Sequence, residues 1–106
     1  MRQTIETDAN GHPVLLYNSS GLLATSQLVS SEAGVIGACI VLTDGVNNAT
    51  IIVYDNTSGS GKVLYKFIVS GADNIGGAVN LPVRFDTGVY VSITGTGAAA
   101  LIYFIV

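Results

Sequence analysis

With 106 residues, 49% of them hydrophobic and 10% charged, and a formal net charge of −3, the chain suits one domain with a core of its own. Its four cations, Arg2, Lys62, Lys66 and Arg84, are scattered and form no patch, which argues against nucleic acid as a partner. No apolar run approaches the roughly 20 residues of a membrane-spanning helix, so no membrane partner is expected either.

Residues 1–13 show no periodicity and end in the breaker cluster Asn10-Gly11-His12-Pro13. They read as an N-terminal arm or irregular lead-in, and residues 14–106 as the folded domain. The polar residues after Met1-Arg2 carry no secretory signal pattern, so synthesis in the cytoplasm without a signal peptide is expected. Residues 14–17 are a short strand candidate closed by Asn18-Ser19-Ser20-Gly21, and residues 22–30 read as extended. Residues 35–43 are apolar on both faces, as in a strand covered on both sides.

After the turn signal Asp44-Gly45, residues 48–55 and 62–69 form two strand-like runs around the segment Asn56-Thr57-Ser58-Gly59-Ser60-Gly61. Asx and Ser side chains bond local backbone and Gly accepts positive φ, so this segment predicts the turn of a hairpin. In the second run Val63, Tyr65, Phe67 and Val69 alternate with Lys62, Leu64, Lys66 and Ile68, the period of a sheet strand. Residues 70–77 read as a loop. Residues 78–85 contain Pro82, which cannot donate to a ladder, so this strand lies at an edge or is interrupted there. Asp86-Thr87-Gly88 leads into a strand over 89–94, and Gly95-Thr96-Gly97 into a last one over 98–106, apolar on both faces. Seven or eight short strands without a helix predict an all-β, antiparallel β-sandwich of jelly-roll or Greek-key type.

Chemistry is sparse. The single histidine, His12, lies in the lead-in with nothing to position it as a base. The carboxylates Glu6, Asp8, Glu32, Asp44, Asp55, Asp73 and Asp86 sit mostly in turns and form no evident acid/base pair. Cys39, the only cysteine, lies in an apolar run and reads as a small buried hydrophobe. One Cys and one His cannot make a zinc site, and Asp44-Gly45-Val46-Asn47-Asn48 and Asp55-Asn56-Thr57 lack EF-hand spacing. No catalytic residue, cofactor or metal ligand is assigned, and no enzymatic activity is expected. The sequons at Asn18, Asn48 and Asn56 read as turn and edge residues. Tyr54, Tyr65, Tyr90 and Tyr103 recur at strand centres, where core or interface filling and a sugar-stacking platform both come into question.

Three segments carry a resemblance. They are the Val53-Tyr54-Asp55-Asn56-Thr57-Ser58-Gly59-Ser60-Gly61 turn between apolar strands, the run over 34–42 ending in Thr43-Asp44-Gly45, and Leu81-Pro82-Val83-Arg84-Phe85-Asp86-Thr87-Gly88-Val89-Tyr90-Val91-Ser92. Together with the terminal Gly95-Thr96-Gly97-Ala98 and its apolar strand, residues 21–106 resemble small β-sandwich virion proteins of tailed bacteriophages. The resemblance implies a capsid decoration or cement protein, or a related head accessory, that binds the major capsid protein on the virion surface as a homotrimer. Residues 1–13 lie outside it. Scarce charge agrees with obligate assembly, because part of the exterior must then be covered by other subunits. The alternative is a tail or head-fibre module that binds a host-surface glycan.

Overall fold

A computed structural model of the chain describes residues 4–7, 13–71, 75–79 and 82–106, with side chains described over 17–71 and 82–106. All regular structure among them is β-strand: β1 (Thr4–Thr7), β2 (Pro13–Leu16), β3 (Asn18–Ser19), β4 (Gln27–Ser30), β5 (Gly34–Leu42), β6 (Ala49–Asp55), β7 (Lys62–Val69), β8 (Ile75–Val79), β9 (Val83–Phe85), β10 (Val89–Thr94) and β11 (Ala99–Ile105). β1 pairs antiparallel with β2, so the segment read as an irregular lead-in holds half of a hairpin. His12 lies outside the described residues.

The remaining strands form two antiparallel sheets, each four strands wide, as in a β-sandwich. One runs β3-β11-β5-β8, with β9 lying beside the other end of β5, and the second runs β4-β10-β6-β7. Two strands of the first sheet were not separated by sequence reasoning. β8 starts at Ile75, inside the expected loop: Ile75 pairs with Leu42 and Gly77 with Val41 of β5, with Gly76 as the extra residue between them. Pro82 then falls in the break between β8 and β9, so the proline interrupts an edge as its missing N–H requires.

Alternation decides which side chains enter the core. On β6, Ala49, Ile51 and Val53 are buried while Thr50, Ile52 and Tyr54 face outward and are half-buried. On β10, Val89 and Val91 do the same opposite Tyr90 and Ser92. Ile36, Phe85 and Ile102 of the first sheet close the core from the other side and are fully buried. The expected β6–β7 hairpin is present, with Ala49 opposite Val69 and Asp55 opposite Lys62.

Bulges break the simple period at four places among the described strands, and those in β5 and β7 bear on which residues face the core. Ala38 pairs with Tyr103 and Ile36 with Phe104, which leaves Gly37 as an extra residue in β5. The inward set therefore shifts from Gly34 and Ile36 to Cys39 and Val41. In β7, Val53 pairs with Tyr65 and Tyr54 with Val63, so Leu64 is extra. This corrects the reading that Val63 shares a face with Tyr65, Phe67 and Val69: Val63 is 47% exposed, and Tyr65 and Val69 are buried. Ile68 is 75% exposed on the outer face.

Truncating Ile102 to Ala removes a fully buried side chain from the central strand of the first sheet and should cost about 2–5 kcal/mol. Ile68→Ala, at an exposed position, should change stability by less than about 1 kcal/mol. Urea unfolding curves of the two variants check the contrast.

Candidate functional surfaces

One polar constellation joins two turns of the sandwich that are far apart in sequence. Asp55, at the end of β6, accepts hydrogen bonds from the backbone N–H groups of Asp86 (3.0 Å), Thr87 (2.8 Å) and Gly88 (3.3 Å). Asp86 to Gly88 is the connection from β9 in one sheet to β10 in the other, so this carboxylate fixes a crossover between sheets. Partial desolvation pushes the Asp55 carboxyl up, but the three N–H groups and the nearby Lys62 ammonium outweigh it and hold the group below the usual carboxylate range. Gly88 leaves the room this needs, since a Cβ there would lie 2.5 Å from the Ser30 carbonyl oxygen.

Other candidate groups are likewise engaged in turns. The exposed Asp44 carboxylate accepts from the backbone N–H of Val46 and Asn47 and from Asn47 Nδ2, and these bonds lower its pKa. Asn48 Oδ1 accepts from Gly71 N–H at 2.8 Å, tying the start of β6 to the end of β7. Asn56 Nδ2 donates to the Ser60 carbonyl at 2.8 Å inside the β6–β7 turn. Two of the sequon asparagines thus hold backbone. Asp86 pairs loosely with Arg84 at 3.7 Å on the exposed strand end. Among the described residues no group of three His, Cys, Asp or Glu side chains is placed to hold a metal ion. Glu6, Asp8 and Asp73 have no described side chains. Cys39 is fully buried, and desolvation pushes its thiol up to about 12.

Between the sheets, where β3 and β4 form their open edges, lies a cleft of about 220 Å³ lined by Ser19, Ser20, Leu23, Gln27, Leu28, Val29 and Phe104. It is smaller than the ~300–1,000 Å³ of common ligand pockets. Its serines and glutamine already bond neighbouring chain: Ser20 Oγ accepts from Ile102 N–H and donates to the Gly21 carbonyl, and Gln27 Nε2 donates to the Thr25 carbonyl.

The two outer faces differ in chemistry. On the first sheet, β5 turns Val35, Ala38, Ile40 and Leu42 outward and β11 turns Leu101 and Tyr103 outward, all of them half-buried, while Ala99 and Ile105 of β11 are buried. None of these is charged, and Tyr17 lies against Gly37 on the same side. Arg84, opposite Val35, stands at the rim. On the second sheet, Leu28, Tyr90, Tyr54 and Val63 form one cross-strand row, followed by Ser92, Ile52 and Lys66, then by Thr94, Thr50 and Ile68. The four strand-centre tyrosines therefore have three fates. Tyr65 is buried and stacks near Phe67 with ring centroids 6.2 Å apart, Tyr103 faces out from the first sheet, and Tyr54 and Tyr90 are partners on the second. Sequence spacing contains no signal for that last pairing, because it depends on which strands become neighbours.

No family model, curated protein or solved structure matches the chain.

Replacing Asp55 with Ala should destabilise the fold by about 1–3 kcal/mol at neutral pH, toward the lower figure because solvent partly reaches the carboxylate. A folded-state pKa below the unfolded value means that this stabilisation is present above about pH 4 and disappears as the pH falls through the folded value. The variant should lose that part of the acid dependence, which urea midpoints across pH 2–7 will read. Cys39 should resist a thiol reagent at pH 8 in the native protein and react fully once it is unfolded; rapid native labelling would contradict its burial.

Proposed function

We propose that the chain is a non-catalytic assembly module, a capsid decoration (cement) protein of a tailed bacteriophage that acts as a homotrimer on the head surface. The observation that carries this reading is the uncharged outer face of β5 and β11. A sheet face of Val35, Ala38, Ile40, Leu42, Leu101 and Tyr103 is the kind of surface that obligate interfaces bury, and total burial above about 1,000 Å² would make such a contact stable. Cementing a shell needs no reaction chemistry, only repeated contacts whose individual weakness multivalency offsets.

The strand order supports the finer fold assignment. With β8 and β9 counted as one edge strand, the sandwich has eight strands from β3 to β11, and the sheets take them in the orders 1-8-3-6 and 2-7-4-5. We read this interleaving as two nested Greek keys, that is, a jelly roll. Two of the segments that resemble virion proteins, the Asp55-Asn56-Thr57-Ser58 turn and Arg84-Phe85-Asp86-Thr87-Gly88, meet through the Asp55 carboxylate. The hairpin of β1 and β2, outside the resembling region, would extend the contact to a neighbouring shell subunit.

Light scattering after gel filtration should give three times the chain mass of 10.9 kDa. The double variant Ile40→Lys and Leu101→Lys should give a monomer with unchanged far-ultraviolet circular dichroism; a monomeric wild type removes the basis of the reading. An electron-microscopy map of the encoding phage should place density of this size on the shell, and density at the tail tip alone would replace cement by receptor recognition.

A further inference from the structure

We propose that the second sheet carries a head-to-tail docking surface for a further copy of this chain, in which the β7 edge of one molecule pairs with the β4 edge of the next. Among the described residues β4 pairs only with β10 and β7 only with β6, so each leaves one side of its backbone without a ladder. β7 is eight residues long and contains no proline, which makes it a usable template. Every pairing in this sheet is antiparallel. With four strands, β4 and β7 therefore run in opposite directions, and β7 set beside β4 of the next copy continues the same antiparallel ladder.

The side chains at the two edges are complementary. Leu28, Tyr90, Tyr54 and Val63 form one outward row, whose two ends, Leu28 and Val63, are apolar and 44% and 47% exposed. Head-to-tail pairing sets Val63 beside Leu28 of the next copy and covers both as one cross-strand pair. One position further along, Lys62 stands at the β7 edge and Ser30 at the β4 edge. The Ser30 hydroxyl accepts from the Glu32 N–H and donates to the Glu32 carbonyl, which holds this exposed acidic residue at the level of Lys62. Charge also selects the partner. β7 exposes Lys62 and Lys66, so two β7 edges repel each other, while β4 contains no cation and is followed by Glu32. The β7 edge is thereby guarded against its own copy and open to the opposite edge. β4 has four residues, so the contact is short and belongs with weak interfaces that form at high local concentration. It uses other strands than the β5–β11 face, so it can join assemblies which that face has already formed.

The test is analytical ultracentrifugation of the full-length Ile40→Lys, Leu101→Lys variant from about 10 μM to about 1 mM, a background that removes the β5–β11 contact and reads the edges alone. Reversible association that grows with concentration and weakens with salt is expected. Adding Val63→Lys or Leu28→Lys, both at exposed positions, should weaken it about fivefold or more, with far-ultraviolet circular dichroism unchanged. Mixing these two chains is the decisive arm. The Val63→Lys chain keeps an intact β4 edge and the Leu28→Lys chain an intact β7 edge, so the mixture should form pairs of one chain of each kind that grow no further. Glu32→Gln should remove most of the salt dependence. A background variant that stays monomeric at the highest concentration, or a mixture no more associated than its components, overturns the head-to-tail contact. Undiminished association of the Leu28→Lys chain alone also overturns it and assigns β7 to a twofold contact instead. Failure of assembly through β5–β11 would show separately, as a monomeric wild type in gel filtration, and leaves this test standing.

Discussion

The sandwich depends on a carboxylate that reaches across its layers. Among the described residues of the two sheets, β6 and β7 are the one pair of consecutive strands that are also hydrogen-bonded neighbours. The other connections carry the chain from one sheet to the other, or, between β8 and β9, along one edge. Such crossings have no ladder of their own, so side chains must fix them. Asp55 does this at one end by collecting the N–H groups of the β9–β10 turn. Asn48 does it at the opposite end by taking the Gly71 N–H. A charged acceptor suits the first task because three converging N–H dipoles stabilise a carboxylate more than a neutral oxygen.

Once the ends are tied, the interior follows from alternation. Val, Ile and Phe fill the space between sheets, and the bulges at Gly37 and Leu64 let two long strands change phase without leaving the ladder. The polar groups needed at the crossings therefore stay at the rims, and the core is apolar. The buried thiol of Cys39 fits this division of labour, since its neutral form behaves as a small apolar side chain.

Much of this was legible in the residues. Turn chemistry at Asp44-Gly45, at 55–61 and at 86–88 marked the strand boundaries, because Asx side chains and glycine announce turns locally. The apolar character of both faces of β5 and β11 also came through, and these are the central strands of their sheet. What did not come through depends on partners far along the chain. The strand at β8 was hidden because Gly76 and Gly77 look like loop until β5 lies beside them. The bulge in β7 put Val63 on the opposite face from the one its spacing indicated. Asp55 and Asp86 each read as ordinary turn residues, and nothing in their local sequence showed that one would bond the other's backbone 31 residues away. The pairing of Tyr54 with Tyr90 was invisible for the same reason.

The position of β11 has a consequence for how the protein is made. This strand, nearest the C-terminal end of the chain, lies between β3 and β5 and is the partner to which β3 is joined. During synthesis, β5 would emerge with one side of its ladder empty and β3 with no ladder at all, until residues 99–105 leave the ribosome. The β6–β7 hairpin can form early because its halves are adjacent, but the first sheet cannot close until translation of this region is nearly finished. Folding is thereby pushed toward a late, concerted step. In that interval the apolar strands of the first sheet lack their partners and stay open to association with other chains.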